Sequence, residues 1–371
     1  MAQTIITTSA AQTKKKWAGA LFNSSVPESY WGSHFMKEGS AESAPNAPIH
    51  LITDLEKDSG DEVNFDIYAQ LTGSPTYGDD NLEGNEESLT PYSDKILINQ
   101  VRKATDSGGE MTRKRTTNNH RMICRNKLTD WWSRFFDEAV FMNISGARGS
   151  NADYILPTAS TAAIEGQSLV ARSSGNIIYS GAATSKASLV AGDKFSLTSI
   201  DKAVTKAETE GGGSDGVIRI TPLRIDGVDK YVCLVHNYQE HDMRTSTTTG
   251  QWLDIQKAAT TNNGTKNPIF TGSLGEYRGV VLHKHNKVTR FKDYGAGNVA
   301  AARAIFMGRQ AMVAAFGSPA NGLRFDWAEE WRDYKNRLGI ATKCIVGLKR
   351  PQFNGNDVNS IVIDSAAAQP Y

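Results

Sequence analysis

Side chains able to do chemistry in this 371-residue chain are few and poorly grouped. His283 and His285 stand two apart, so a strand would carry both on one face, where they could share a metal ion. No third ligand lies near them in sequence, and Lys284 and Lys287 disfavour a cation. His236, His241 and Asp242 form a second loose cluster, read here as polar residues of a turn region. Asp79, Asn81, Glu83 and Gly84 fall at the first, third, fifth and sixth places of a calcium loop. The twelfth place is Thr90, where that chemistry needs a glutamate. A register starting at Asp54 puts Ser59 where glycine is required. Gly212, Gly213, Ser214, Asp215 and Gly216 spell a nucleophile elbow, but they follow the charged AETEGG rather than a buried strand and read as a linker. Gly295, Ala296 and Gly297 with Ala300 fit a loose dinucleotide pattern that lacks the acidic residue ending a second strand. Cys124, Cys233 and Cys344 are odd in number and far apart, which disfavours a disulfide framework or a zinc site and suits a reducing compartment. The expectation is no catalytic residue, no bound metal and no cofactor.

Composition narrows the alternatives. Lys and Arg total 41 against 40 Asp and Glu, a net charge of +1, so the chain is not a bulk-charge nucleic-acid coat. Hydrophobic residues at 39% exclude wholesale disorder. The basic run Lys14, Lys15, Lys16 precedes an apolar stretch too short for a signal peptide, and no stretch is long and apolar enough for a membrane helix. The expectation is a cytoplasmic chain with no membrane partner.

Charge is nevertheless segregated. Residues 61–105 predict a long hairpin: alternating Val63, Phe65 and Ile67 form the outgoing strand and KILINQV the return. From Thr72 to Asp94 the connection has no Lys or Arg but carries Asp79, Asp80, Glu83, Glu86, Glu87 and Asp94. Residues 101–127 are the opposite, with Arg113, Lys114 and Arg115 at their centre. Self-repulsion in both would fall if the acidic loop of one copy met the basic segment of another, although single exposed ion pairs contribute only about 0–1 kcal/mol. The first 50 residues read as an arm whose aromatics, Trp17 and Trp31 among them, dock onto the chain's own body or onto a neighbour.

The elements expected to position these surfaces are mixed. Leu128, Trp132, Phe135, Ala139 and Met142 predict a helix over 118–143, capped by Asn118 or Asn119, closed by the glycine of SGARG and roughly 40 Å long. FSLTSIDKAVTKAE and WLDIQKAA predict short helices. Asp226-Gly227 marks a hairpin in VIRITPLRIDGVDKYVCLVH. GEYRGVVLHKHNKVTRF predicts a strand pair turning at HKHNK. ARAIFMGRQAMVAAFG predicts a strand then a helix, or one helix broken at Gly308, and the C-terminal TKCIVGLKRPQF and NSIVIDSA predict a closing strand pair. This order is α+β rather than alternating βαβ.

The runs GDEVNFDIYAQLTG and GDDNLEGNEESLTPYSDKILINQVRKA resemble the major capsid protein family of N-four-type (schitovirus-like) tailed bacteriophages. RNKLTDWW, NPIFTGSLGEYRGVVLHKH, RAIFMGRQAMVAAFG and VGLKRPQFNGNDVNSIVI follow in matching order, so the likeness spans roughly residues 20–365. It implies the Hong Kong 97-type α+β capsid fold. The expected divisions are an N-terminal arm (1–60), an extended β-loop (61–105), a peripheral domain with a spine helix (106–175), an axial domain (176–320) and a return to the peripheral domain (321–371). It also implies a virion shell of hexamers and pentamers around double-stranded DNA, with a separate scaffolding protein, a portal and a decoration protein as partners. The candidate subunit interface comprises Trp17, Trp31, Asp79, Asp80, Glu83, Glu86, Glu87, Arg113, Lys114 and Arg115. Some relatives crosslink through a loop lysine, which this loop lacks, so the expected joints are non-covalent. The alternatives are a cargo compartment of the same fold and a metal-dependent hydrolase using the Asp79–Glu87 loop or His283 and His285.

Overall fold

Alternation of apolar residues along Arg337–Lys349 sets up the first of two sheets. Leu338, Ile340, Thr342, Cys344, Val346 and Leu348 are all buried, the period of a strand with one face on the core. The computed structural model describes residues 29–39, 46–52, 60–68, 71, 73–88, 91–210, 219–225, 227–246, 275–318 and 324–371. At 13 residues this strand is long enough to serve three partners. Asn99–Asp106 pairs antiparallel along one edge, while Phe325–Arg332 and Met312–Gly317 share the other. Ile49–Ile52 then adds parallel to Met312–Gly317, and Met36–Gly39 closes that side.

Across this sheet lies the helix His120–Ser145. The Asn119 side chain accepts from the Met122 amide at its start, and Gly146 at φ 71° ends it. A side chain at Gly146 would strike the Val170 carbonyl at 2.7 Å and the Arg350 guanidinium at 2.9 Å, so glycine is required twice over. Trp132 Nε1 donates to Thr342 Oγ1 at 2.7 Å, and the Trp132 ring meets Phe325 edge-on at 5.0 Å. From Phe135 to Ser145 every residue is buried, because a second sheet covers the helix's other side.

That second sheet has eight strands. Its path runs Gly275–Tyr277, Val280–Lys284, Val228–Val235, Val299–Met307, Ser360–Ala366 and Ile177–Tyr179, with Arg290–Tyr294 and Leu223–Ile225 paired at its margins. Leu197–Thr209 lays Ile200, Ala203, Val204 and Ala207 against Cys233, Phe306, Ile361 and Ile363.

Both sheets grip the C-terminal end of the long helix through buried charge. Arg303 is paired to Asp364 by two bonds of 2.7 Å and donates to the Ser145 carbonyl at 2.8 Å. Tyr294 donates to Asp364 at 2.7 Å and accepts from Arg303 at 2.9 Å. Arg350, just past the central strand, donates to the Asn143 carbonyl at 3.1 Å and to Asp357 at 2.8 Å. Arg172 reaches Asp357 at 3.2 Å and Ser360 Oγ at 2.8 Å. Burial would raise the Asp357 carboxyl, but Arg172 and Arg350 outweigh it and hold it below its ordinary value.

Several expectations need correction. The return strand of the hairpin stops at Leu97, and Asn99–Asp106 belongs to the first sheet instead. The turn in GEYRGVVLHKH falls at Arg278-Gly279, not at HKHNK. ARAIFMGRQAMVAAFG forms two strands, one in each sheet, with no helix. The C-terminal runs do not pair: Arg337–Lys349 lies in the first sheet and Ser360–Ala366 in the second. Residues 312–317 lie in the first sheet and residues 360–366 in the second. His241 and Asp242 lie on the helix Asn237–Thr245, which His236 caps, rather than in a turn. The WLDIQKAA helix falls outside the described residues.

Removing one partner of a buried pair strands the other charge. Asp364→Ala is therefore expected to cost about 3–5 kcal/mol in urea unfolding, by that same stranding. Arg303→Met with Asp364→Leu should cost clearly less than Asp364→Ala alone, and equal costs would mean that the charge pairing is not the cause.

Candidate assembly surfaces

The acidic loop sits on a ribbon whose base is clamped to the body. Glu62–Tyr68 and Pro91–Leu97 pair antiparallel over seven residues each, and the three residues beyond Asp94, at about 3.4 Å each, carry the loop roughly 10 Å past the clamp. At the base, Lys349 pairs with Asp94 and donates to the Lys95 carbonyl at 2.8 Å. The Gln352 amide donates to Asp94 at 3.1 Å, and the Leu97 amide donates to Gln167 at 3.0 Å. Gly347 lets the Leu97 carbonyl approach to 2.3 Å of where a Cβ would stand. Ile96 packs under Ile52 and Val313.

Beyond the clamp the loop makes little contact. Turns close at Tyr77–Asp80 and Leu82–Asn85. Glu87 accepts from the Gly73 amide at 2.6 Å and Glu86 from the Gly84 amide at 2.9 Å, so these two carboxylates shape the loop. Asp79, Asp80 and Glu83 are exposed, as are Leu71, Tyr77 and Leu82. An outward surface that is both acidic and apolar is unusual for a part that no element covers among the described residues.

The basic segment is built differently from expectation. Glu110–Arg115 forms a short helix of its own before the long one, which the charge pattern did not reveal. Arg113 stacks on Trp331 at 4.9 Å and donates to the Asn336 carbonyl at 3.1 Å, tying the segment to the tip of the central hairpin. Lys114 and Arg115 are exposed. Met111, Met122, Trp331 and Tyr334 are exposed beside them, so this surface is basic and apolar at once. Sequence reasoning missed Trp331 and Tyr334, although three aromatics in the charged run WAEEWRDYKNR were a readable signal.

Of the two arm tryptophans, Trp17 lies outside the described residues. Trp31 sits in the helix Tyr30–His34 and is buried inside its own subunit, 4.9 Å from the Phe141 ring, so its surface is already used. Its amide donates to Asp137 on the long helix at 3.4 Å.

The residues weighed for chemistry are dispersed. His283 packs edge-on to Phe35 at 5.2 Å and His285 stacks on Phe141 at 5.1 Å, so they serve different packing contacts. Among the described residues no three of His, Cys, Asp and Glu are grouped to hold a metal. Gly295–Gly297 turns between two antiparallel strands, not from strand to helix. Gly212–Gly216 lies outside the described residues. The cysteines are buried and free, and burial pushes the Cys233 thiol up to about 12.

Two titrating groups, His285 and Asp137, sit where the arm meets the body, and His236 lies beside His285. Burial pulls His285 down to about 4 and, with the nearby Arg290, His236 likewise to about 4. Burial pushes Asp137 up to about 6 against the backbone amides that hold it. The signs oppose. A histidine depressed on folding gives stability that is full above its unfolded value of 6.5 and lost as pH falls toward 4. Asp137, raised from 3.8, returns stability as pH falls through about 6. Urea unfolding between pH 7 and 4 is expected to show a net loss on acidification, and Asp137→Asn should steepen it. A shallower slope in that variant would refute the assignment of Asp137.

The family described as phage capsid protein matches residues 5–369. The chain is 27% identical over 335 residues to the major capsid protein of Pseudomonas phage KPP25, covering 83% of this chain and 82% of that one. It is similar to the capsid of Ralstonia phage GP4 at 41% identity and a TM-score of 0.79, covering 100% of both chains. The capsid asymmetric unit of Cyanophage Pam1 matches with a TM-score of 0.72 at 18% identity, over 92% of this chain and 93% of that one.

Proposed function

The chain belongs to the phage capsid protein family, as a major capsid protein of the virion shell, and from that premise we propose how its copies join. Many copies form hexameric and pentameric rings that close into an icosahedral shell around double-stranded DNA. The observation that carries this reading is the clamped ribbon with its outward acidic, apolar loop, which gains little burial from the described residues of its own chain. Such a ribbon is marginal in water and is completed by a neighbour. The receiving surface is the basic, apolar tip around Arg113, Lys114 and Arg115 of the next copy, a head-to-tail contact that closes rings. The role is structural, without catalysis.

The finer architecture is Hong Kong 97-type. The long helix is the spine of a peripheral domain with the first sheet, and the second sheet is the axial domain, so residues 360–366 return to the axial part. The narrower N-four-type placement rests on the LEGNEE and NPIFTGSLGEY motifs. DNA contact is weak and non-specific, in keeping with a net charge of +1. A scaffolding protein, a portal and a decoration protein are separate chains, and assembly takes place in the host cytoplasm.

Negative-stain imaging of the purified chain is expected to show hollow particles. A solitary monomer with stoichiometric bound metal would favour the hydrolase reading instead. Because the loop has no lysine between Thr72 and Asp94, denaturing electrophoresis of particles should show a single band and no ladder.

Asp79→Asn, Asp80→Asn and Glu83→Gln together remove loop charge while sparing Glu86 and Glu87, which hold the loop's shape. Particles of this variant are expected to dissociate at lower denaturant concentration, with the unassembled fold unchanged by circular dichroism. Unaltered particle stability would rule out the charged joint.

A further inference from the structure

A groove of about 500 Å³ opens where the docked arm, the first sheet and the second sheet converge. Its floor is apolar, formed by Phe35, Pro48, Leu223, Val232 and Val281. Its rim carries two cations, Lys37 and Arg224, with the imidazole rings of His34 and His283 beside them. Asp229 lies 3.4 Å from Arg224 in a pair that is largely exposed and therefore weak, and Glu38, the next residue after Lys37, is paired with Arg324 at 2.7 Å. One wall is Met36–Gly39, which among the described residues is the last strand of the first sheet. The opposite wall continues into exposed Ile225 and Val228.

We propose that this groove binds an extended acidic peptide segment of a different protein, added as a strand along Met36–Gly39 with alternate apolar side chains on the floor and carboxylates on the rim. An open sheet edge offers main-chain hydrogen bonds, and pockets along it read every second side chain. The cationic rim selects acidic sequences and speeds their encounter. The chain's own acidic loop is a poor occupant. It turns at Tyr77–Asp80 and again at Leu82–Asn85, and Pro75 precedes both, so it has no extended run to lay along an edge. Duplex DNA fits the rim but not the floor, since a phosphate backbone has nothing to place on five apolar side chains.

The test uses the full-length chain and a fluorescent nine-residue peptide alternating Glu or Asp with Val and Leu, read by anisotropy. Binding is expected, with at least a tenfold loss in Lys37→Glu with Arg224→Glu. The milder Arg224→Ala should lose several-fold, which keeps the result readable if the double variant folds poorly. A peptide with Lys in place of the acids should bind the double-Glu variant better than the unaltered chain. Arg113→Glu with Lys114→Glu, which alters the joint between copies, should leave peptide binding unchanged; its loss would move the site to that joint. Equal binding of the acidic peptide to the unaltered and double-Glu chains would overturn the proposal. So would competition by a peptide of residues 76–88, or by duplex DNA, at the acidic peptide's own concentration.

Discussion

The arrangement of this chain turns on one constraint: the C-terminal end of a 26-residue helix is buried between two sheets. The last carbonyls of a helix have no partners within it and carry partial negative charge. Left dry and unpaired they would cost several kcal/mol, by the usual penalty for burying polar groups. Arg303 from the second sheet and Arg350 from the end of the first answer them, and each is itself neutralised by an aspartate. The two sheets are joined through this end of the helix, so a shift in either one is felt by the other.

What the body holds rigid decides what it can offer outward. The helix's far end lies over the central hairpin, where Arg121 pairs with Glu329 at 2.8 Å and Arg113 stacks on Trp331. The basic tip is thus on a fixed support. The ribbon leaves from the same sheet, locked at its root by Asp94, Lys349 and Gln352. In the proposed joint, donor and receiver would therefore be held at a set angle within each subunit, the condition a head-to-tail contact needs to close rings.

Much of this was legible in the residues, for reasons that differ by element. The long helix shows a clean three- and four-residue apolar recurrence, and its asparagine cap and terminal glycine bracket it. The hairpin shows alternation, and the loop shows its charge. The misassigned pieces are those where periodicity carries no information. VAAARAIFM and MVAAFG are buried on both faces, and a continuous apolar run fits a buried strand or a buried helix equally well. Pairing choice was also hidden: the two C-terminal strands are neighbours in sequence but enter different sheets, a matter of tertiary packing. The junction left one signal unread. Arg303 and Asp364 are lone charges in otherwise apolar strands, and opposite lone charges in two buried strands imply that the strands are neighbours. Trp31, read as a contact for its own body or a neighbour, is consumed internally because its helix lies against Phe141 and Asp137.

Charge distribution then separates folding from association. The strong pairs lie inside, at Arg303–Asp364, Arg350–Asp357 and Lys287–Glu138, where low exposure makes them geometric determinants of one packing. The outward charges are segregated into an acidic loop, a basic tip and a cationic groove, while the total stays near zero. A chain whose surface signs were mixed evenly would have no preferred mutual orientation. Segregation at zero net charge gives orientation without bulk repulsion between copies, and each contact can then be individually weak. The proposed joint, worth about 1 kcal/mol in charge, would sum over the subunits of a shell through effective concentration rather than through any single strong bond. That weakness also keeps misplaced subunits reversible, which a surface built from large apolar patches would not allow.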